Sequence, residues 1–158
     1  MKAQESLYTD RYELSMLDGA LVSGVLNAKA TFEVFTRSLA NGYRYGVVGG
    51  TGRLIDALAD FSFNDDTLTW LRDERIVSDE LADFLSSYRF GGDVHGYLEG
   101  EVFTSLSPIL RIEGRFGDLI LETLVLSILN YDSGVATKAM RVVRSAPSPS
   151  GQGVRCVE

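Results

Sequence analysis

The sequence predicts an α+β fold. Apolar residues recur at helical spacing in some segments and alternate with polar residues in others, and these segments follow one another in the order helix, strands, helices, strands, helices. With 158 residues, the chain is long enough for one compact domain with a hydrophobic core and too short for two domains of ordinary size.

The first half of the chain contains one predicted helix and two predicted strands. Leucines recur at helical spacing in Thr9–Leu21, where Thr9 or Asp10 is placed to cap the helix. Apolar and polar residues alternate in Ala30–Arg37, which predicts a strand. A second strand is predicted over Tyr43–Val48, directly before a group of glycines.

Three helices are predicted next. The apolar residues of Arg53–Phe61 are spaced for one helix face, and two shorter helices follow over Asp66–Arg72 and Ser78–Ser87. Each of the shorter helices opens with a residue of the capping type.

The last part of the chain is expected to contain strands, then two helices, then a tail. Glycines and β-forming residues in Gly91–Phe116 predict short strands with tight turns. The apolar segment Gly117–Tyr131 predicts a buried helix, and Gly134–Val143 a second one. From residue 146 to 158 the sequence has prolines, glycines and no periodicity, so we expect a divergent, disordered tail after a domain of residues 1–145.

Charge and composition exclude several functions. The net charge of −7 and the absence of like-charge runs exclude general binding to nucleic acids or anionic membranes, which needs clustered Lys and Arg. The single cysteine, Cys156, rules out an internal disulfide and fits a reducing compartment. The opening residues lack the apolar stretch of a signal peptide, and the run Leu119–Leu129 is about half a membrane span, so we expect a cytoplasmic soluble protein.

The glycines at 49, 50 and 52 lie between a predicted strand and a predicted helix, as in dinucleotide-binding loops. If Gly50 and Gly52 are the first two glycines of such a loop, the third position is Ile55, where close helix packing needs Gly or Ala. We therefore interpret the segment as a tight turn with a helix cap.

Isolated polar residues give weak indications of catalysis. His95 is the only histidine, so neither a Ser–His–Asp triad nor a metal site with several convergent ligands is indicated around it. Asp65 and Asp66 are adjacent, and adjacent side chains diverge on a helix. We therefore expect these two residues to begin a helix rather than to form a catalytic pair. Glu99 and Glu101 are flanked by glycines, which indicates a turn rather than a catalytic pair.

The segment Leu7–Met16 carries the most specific signal. Taken alone, it is a capped amphipathic helix in which Tyr12 packs. Its pattern Thr9-Asp10-x-Tyr12-x-x-Ser15-Met16 also resembles the opening signature of nicotinate phosphoribosyltransferases. The resemblance continues in the same order through Ala30–Leu39, Arg44–Leu58, Tyr88–Phe103, Leu121–Ser133 and Val135–Arg141.

This resemblance implies an enzyme that joins nicotinate to phosphoribosyl pyrophosphate, giving nicotinate mononucleotide and pyrophosphate for NAD salvage. It further implies coupling to ATP hydrolysis through a phosphohistidine, Mg²⁺ with the pyrophosphate, and a homodimer with active sites at its interface. The family fold has a mixed α/β amino-terminal domain beside an irregular α/β barrel that holds the phosphates.

The resemblance also assigns two substrate-binding positions. In the family, the tyrosine of the opening signature lies against the nicotinate ring, so Tyr12 is expected to bind the ring by stacking, while Asp10, its neighbour in the motif, is expected to bind nicotinate or to cap the helix. No residue of the chain matches a catalytic or metal-binding position of the family. The segment Asp93–Gly114 resembles sandwich-hybrid modules that carry biotin or lipoate, but it contains no lysine for attachment.

The chain departs from the family pattern after Ser145, and the barrel with its phosphate ligands has no counterpart. We therefore expect a truncated chain that is inactive alone. We also expect it to self-associate through the apolar run Leu119–Leu129, which a barrel would cover in the family. Two alternatives stay open: a non-catalytic module for ring binding or dimerisation, and a relative of the quinolinate or nicotinamide phosphoribosyltransferases.

Overall fold

The computed structural model describes residues 8–39 and 42–146 and confirms the α+β class. In chain order its elements are α1 (Arg11–Val22), β1 (Lys29–Phe35), β2 (Gly46–Val47), α2 (Thr51–Asp60), α3 (Asp65–Asp73), α4 (Asp79–Ser86), β3 (Asp93–Gly96), β4 (Val102–Phe103), β5 (Pro108–Arg115), a 3₁₀ helix (Phe116–Leu121) and α5 (Glu122–Ser145). The first four helices begin and end within two residues of the predicted bounds, because each has a capping residue or a turn at its ends.

The strands form two small antiparallel sheets. The larger one has the order β1-β5-β3, with Phe32 opposite Ile112 and Val94 opposite the same residue from the other side. The smaller sheet consists of β2 and β4. The strands of the predicted Gly91–Phe116 segment are thus divided between two sheets. In this segment β4 and β5 pair with the earlier strands β2 and β1, and β3 pairs with β5.

The hydrophobic core lies between the helices and one face of the larger sheet. Its fully buried side chains come from four different helices and the loops between them, and they include Leu17, Leu54, Phe61, Leu81, Leu85 and Tyr88. Phe61 packs edge-on against both Phe63 and Tyr88, with centroid distances of 5.5 and 5.9 Å. The Tyr88 hydroxyl is buried and donates to Asp118 Oδ1 at 2.9 Å, so this polar group has a partner inside the core.

The prediction of two separate helices after residue 117 is wrong. The chain forms a 3₁₀ helix over Phe116–Leu121 and then one continuous α-helix, α5, of 24 residues. Gly134, at the predicted boundary, lies inside α5. A single glycine costs a helix only about 1 kcal/mol, and the contacts of the residues around it offset that cost. Among them, the Thr137 hydroxyl oxygen accepts from Val47 N–H at 2.9 Å.

The expectation that Leu119–Leu129 presents an uncovered apolar surface is also wrong. Its apolar residues pack inside the domain, with the exception of Leu126, which is 44% exposed. The segment Phe116–Ser145 is long and apolar enough to span a membrane by length and composition alone. Buried core helices meet the same criteria, so this observation does not by itself indicate a membrane span.

The predicted disordered tail of residues 146–158 lies outside the described residues, apart from Ala146 at the end of α5. The domain of residues 1–145 and the tail that follows it therefore stay predictions.

Candidate functional site

Tyr12 lies in the first turn of α1 with 45% of its surface exposed. The carboxylate of Glu122, the first residue of α5, lies near this hydroxyl. Partial burial and the nearby carboxylate of Glu122 raise the pKa of this hydroxyl well above its usual value. The phenol is therefore a neutral hydrogen-bond donor at any physiological pH, and part of its ring is open to a ligand.

Asp10 caps α1. Its backbone is extended, with φ −91° and ψ 151°, and it forms a capping box with Glu13 three residues later. The capping role predicted for Asp10 is confirmed. Asp10 is exposed, and its charge lies close enough to Tyr12 to contribute to the raised pKa of that hydroxyl.

Glu13 is a buried carboxylate that joins the beginnings of α1 and α5. It is fully inaccessible to solvent and accepts four hydrogen bonds. One oxygen accepts from the Thr9 hydroxyl at 2.5 Å and from Asp10 N–H at 3.3 Å. The other accepts from the backbone N–H and the hydroxyl of Thr123, at 2.9 and 2.5 Å. Glu13 thus satisfies an N–H group in the first turn of both helices, where such groups lack intrahelical partners.

Burial raises the pKa of Glu13, although its four donors act in the opposite direction. The sequence contained one signal for this residue that we did not use: an acidic residue three positions after a capping Asp is the capping-box pattern. The bonds to Thr123 join residues 110 positions apart, and nothing local in the sequence indicates them.

A cleft of about 410 Å³ lies between β1 and the beginning of α5. Its apolar lining includes Phe32, Val34, Leu121, Val125 and Leu126. Glu122 also lines the cleft, and its charge contributes to the raised pKa of the Tyr12 hydroxyl. Tyr12 itself does not line the cleft.

The charges lining the cleft are mainly negative. Glu33, Asp118 and Glu122 contribute carboxylates, and Arg37 is the single basic residue of the lining. Such a lining suits a flat, mostly apolar ligand better than one with several phosphates, because each phosphate needs cations or backbone donors close by.

In the glycine turn (residues 49–52), backbone N–H groups are hydrogen-bonded by a side chain of the protein itself. Both carboxylate oxygens of Glu99 accept from Gly50 N–H, at 3.0 and 3.1 Å, and one also accepts from Gly52 N–H at 3.2 Å. The conformation of Gly50, with φ +94°, favours glycine, and a Cβ there would lie 2.6 Å from the Asp132 carboxylate. The interpretation of this turn as a helix cap is confirmed, with Glu99 as the capping group.

Replacing Glu99 with alanine is expected to destabilise the domain by about 1–2 kcal/mol, since N-capping groups contribute about that much. Glu101→Ala is the matched control, because Glu101 lies in the same turn and accepts only from Leu98 N–H. Urea denaturation followed by circular dichroism would measure both. Equal midpoints for the two variants would contradict the capping role of Glu99.

The remaining polar residues give no second site. His95 lies exposed on β3 opposite Arg111, as expected of a strand histidine. Asp65 and Asp66 begin α3, which confirms their structural role. Within residues 8–39 and 42–146, no group of three or more His, Cys, Asp or Glu residues is arranged to hold a metal ion.

Comparison with protein families gives one match. Residues 7–130 match the model described as the nicotinate phosphoribosyltransferase (NAPRTase) N-terminal domain. A nicotinate phosphoribosyltransferase of Mycobacterium tuberculosis, pncB1, is 47% identical over 141 residues, which cover 89% of this chain and 31% of that protein. The corresponding protein of Bacillus subtilis is 34% identical over 138 residues, 87% of this chain and 28% of that protein.

Two solved structures share the fold. Human nicotinic acid phosphoribosyltransferase superposes with a TM-score of 0.78 at 23% identity, covering 92% of this chain and 32% of that one. A nicotinate-nucleotide pyrophosphorylase from Pyrococcus furiosus superposes with a TM-score of 0.66 at 25% identity, covering 90% and 30%. The chain therefore spans about a third of the length of the relatives it matches.

Proposed function

The chain belongs to the nicotinate phosphoribosyltransferase family, whose amino-terminal domain it matches, and we propose that this domain supplies the ring-binding side of a nicotinate site. In the complete reaction, phosphoribose passes from phosphoribosyl pyrophosphate to nicotinate, giving nicotinate mononucleotide and pyrophosphate with ATP hydrolysis. The observation that carries the proposal is the half-exposed ring of Tyr12 in the first turn of α1, near Glu122, which lines an apolar cleft.

Stacking is the physical basis of the proposed contact. The pyridine ring of nicotinate is flat and electron-poor, and the face of a tyrosine ring carries negative charge density, so the two attract each other by roughly 0.5–1.5 kcal/mol beyond their buried area. Asp10 is proposed as a neighbour of this site. Its carboxylate repels the carboxylate of nicotinate, and Glu122 has the same effect. The proposal therefore directs the nicotinate carboxylate away from both.

The phosphates are proposed to bind elsewhere. The cleft has a single basic lining residue, Arg37, whereas a pyrophosphate leaving group requires several positioned cations or backbone donors. The described residues also do not fit a Mg²⁺ site, since they contain no cluster of suitable ligands. Mg²⁺ and ATP therefore belong to the proposal through the family alone, and no step at Tyr12 depends on them.

Tyr12→Ala is expected to weaken nicotinate binding roughly 2- to 13-fold, because one stacking contact of about 0.5–1.5 kcal/mol is lost. The affinity can be measured by calorimetry on a chimera in which residues 1–145 replace the matching segment of the M. tuberculosis relative, which is 47% identical there. The ring is retained in Tyr12→Phe, which should cost less than alanine.

Val22→Ala is a suitable control, since Val22 lies at the other end of α1 and is exposed, at 88%. It should leave the affinity for nicotinate near that of the parent. Equal affinities for the parent, the Phe variant and the Ala variant would make Tyr12 a packing residue and refute the proposed site.

Association into a homodimer and a cytoplasmic location complete the proposal. Tyr12 and Met16 on α1 and Tyr8 just before it are exposed apolar side chains, at 45–49% exposure, and neighbouring exposed apolar side chains favour a protein partner. A cytoplasmic location is supported by the single cysteine of the chain. A non-catalytic ring-binding module is distinguished from the enzyme by testing the chimera for nicotinate mononucleotide formation.

A further inference from the structure

The strand β1 lies at one edge of the larger sheet, whose order is β1-β5-β3. In its pairing with β5, Phe116 N–H donates to the carbonyl oxygen of Ala28, and hydrogen-bonded pairs recur at every second residue of an antiparallel ladder. The even-numbered residues of β1 therefore bond to β5. The N–H and C=O groups of the odd-numbered residues, among them Thr31 and Glu33, point away from β5 toward the open edge.

The pairing on the other side of β5 gives the same assignment. Tyr97 N–H donates to the carbonyl oxygen of Ile109, so the odd-numbered residues of β5 bond to β3 and its even-numbered residues bond to β1. The N–H and C=O groups of Thr31 and Glu33 form no hydrogen bond with any other residue of 8–39 and 42–146. The outer edge of β1 thus presents free donors and acceptors, as an edge does when it takes up another strand.

Space for another strand lies beside this edge. The cleft of about 410 Å³ is lined by the consecutive residues 31–35 of β1, and across from them by Leu121, Val125 and Leu126. The edge of β1 therefore faces open space at this point instead of another described helix or strand. Phe35 and Leu126 are exposed apolar side chains, so a strand added here buries apolar surface as well as backbone groups.

The first five residues of β1 are complementary to themselves in an antiparallel arrangement. When Thr31 lies opposite Thr31 of a second copy, Lys29 lies opposite Glu33 and Glu33 opposite Lys29. These three side chains are exposed and lie on the face of the sheet away from the core. On the core-facing side, the same register places Ala30 opposite Phe32, a small side chain opposite a large one. Opposite charges and paired threonines in directly opposed positions stabilise antiparallel strands.

The charges of β1 also select this register. A register with Glu33 opposite Glu33 places like charges together, which destabilises a strand pair. A register with Thr31 opposite Glu33 leaves Lys29 opposite the apolar Phe35. Among the described residues, neither Lys29 nor Glu33 forms an ion pair within its own chain, so both charges are available to a second copy.

We propose that two copies of the chain join through the outer edges of β1, in the register centred on Thr31. The three strands of each copy then form one six-stranded antiparallel sheet across a two-fold axis. One strand pair is small for a protein interface, so the dimer is reversible and its population depends on concentration. The inference is independent of the ring-binding role of Tyr12.

Charge reversal tests the register. Sedimentation of the 158-residue chain over a dilution series gives the dimer dissociation constant. Lys29→Glu and Glu33→Lys each place like charges at two symmetric positions, so each should raise this constant about 10-fold. The double variant restores opposite charges and should return it near that of the parent. Lys138→Glu, an equal charge change at an exposed position of α5, should have little effect.

Amide hydrogen exchange, followed by NMR, tests the edge directly. The N–H groups of Thr31 and Glu33 should exchange more slowly at concentrations at which the dimer forms than in the dilute monomer. The N–H groups of Phe32 and Val34, which bond to β5 within one chain, should be protected at both concentrations. Thr31→Pro removes an outward donor and no bond to β5, so it should abolish the dimer and leave the circular dichroism spectrum unchanged.

The results that would overturn the proposal are distinct. A chain that stays monomeric at every concentration has no such interface. A dimer that tolerates both charge reversals, or a double variant that stays weak, contradicts the register. A dimer in which Thr31 and Glu33 exchange as fast as in the monomer is joined elsewhere. Slow exchange of both groups in a monomer would show that another segment, and not a second copy, occupies the edge.

Discussion

Replacing the fully buried Glu13 with alanine is expected to lower the free energy of unfolding by about 2–4 kcal/mol, because two backbone N–H groups and two hydroxyls lose their acceptor. The N–H groups are those of Asp10 and Thr123, in the first turns of α1 and α5. The Thr9 and Thr123 hydroxyls lose the same partner. In a chain of this size, a loss of that order lowers the melting temperature by roughly 5–15 °C. Thermal unfolding followed by circular dichroism would measure it.

Glu13→Gln is the matched variant, since it keeps the shape of the side chain. Its amide oxygen can accept on one side, but its NH₂ group faces a donor on the other side, so it should retain more than half of the stability that alanine loses. Thr123→Val removes one hydroxyl donor and leaves the backbone bond, so its effect should be smaller still. Equal melting temperatures for the parent and Glu13→Ala would show that Glu13 does not join the two helices.

The difference in the free energy of unfolding between the parent and Glu13→Gln is expected to change with pH in one direction. Burial raises the pKa of Glu13 in the folded protein, so the folded state binds a proton more readily than the unfolded state. The stability from this group is complete below its unfolded pKa of about 4.3 and decreases as the pH rises through the folded value. The parent should therefore gain stability relative to Glu13→Gln as the pH falls from 7 toward 4.5.

The local parts of the fold were predictable because their causes are local. The helix α3 begins at Asp65 after Asn64, whose side chain accepts from Thr67 N–H at 2.8 Å. The helix α4 begins after Ser78, which bonds Leu81 N–H in the same way. Such caps are visible in the sequence as residue types at fixed spacing. For the same reason, the position of Tyr12 at the beginning of a capped helix could be predicted.

The parts that were not predictable depend on distant residues. The continuity of α5 through Gly134 depends on the contacts of Ser133 and Thr137 with the backbone of residues 47–49, more than 80 positions away. The glycine turn is a cap because Glu99, 47 positions later, supplies the acceptor. Likewise Glu122 in the candidate site was recognisable only as a charge in an apolar run, since Tyr12, whose hydroxyl its charge affects, lies on the first helix.

The 158-residue polypeptide, assayed alone, is expected to form no nicotinate mononucleotide above background, with or without ATP and Mg²⁺. Departure of pyrophosphate needs its developing negative charge to be stabilised by positioned cations and backbone donors. In the described part of the chain, Arg53 already pairs with Asp132 at 2.9 Å, and Arg141 lies 3.6 Å from the centre of the Tyr43 ring. The N–H groups of the glycine turn already bind Glu99.

Coupling to ATP through a phosphohistidine leads to the same expectation. The sequence contains one histidine, His95, which lies exposed on β3. The assay follows nicotinate mononucleotide formation with chain purified free of host enzyme, and the chimera with the M. tuberculosis relative is the positive control. Turnover that scales with chain concentration and persists in His95→Ala would show that the catalytic groups lie within these 158 residues. In that case, the assignment of ring binding to this domain and of phosphate chemistry to other residues would be wrong.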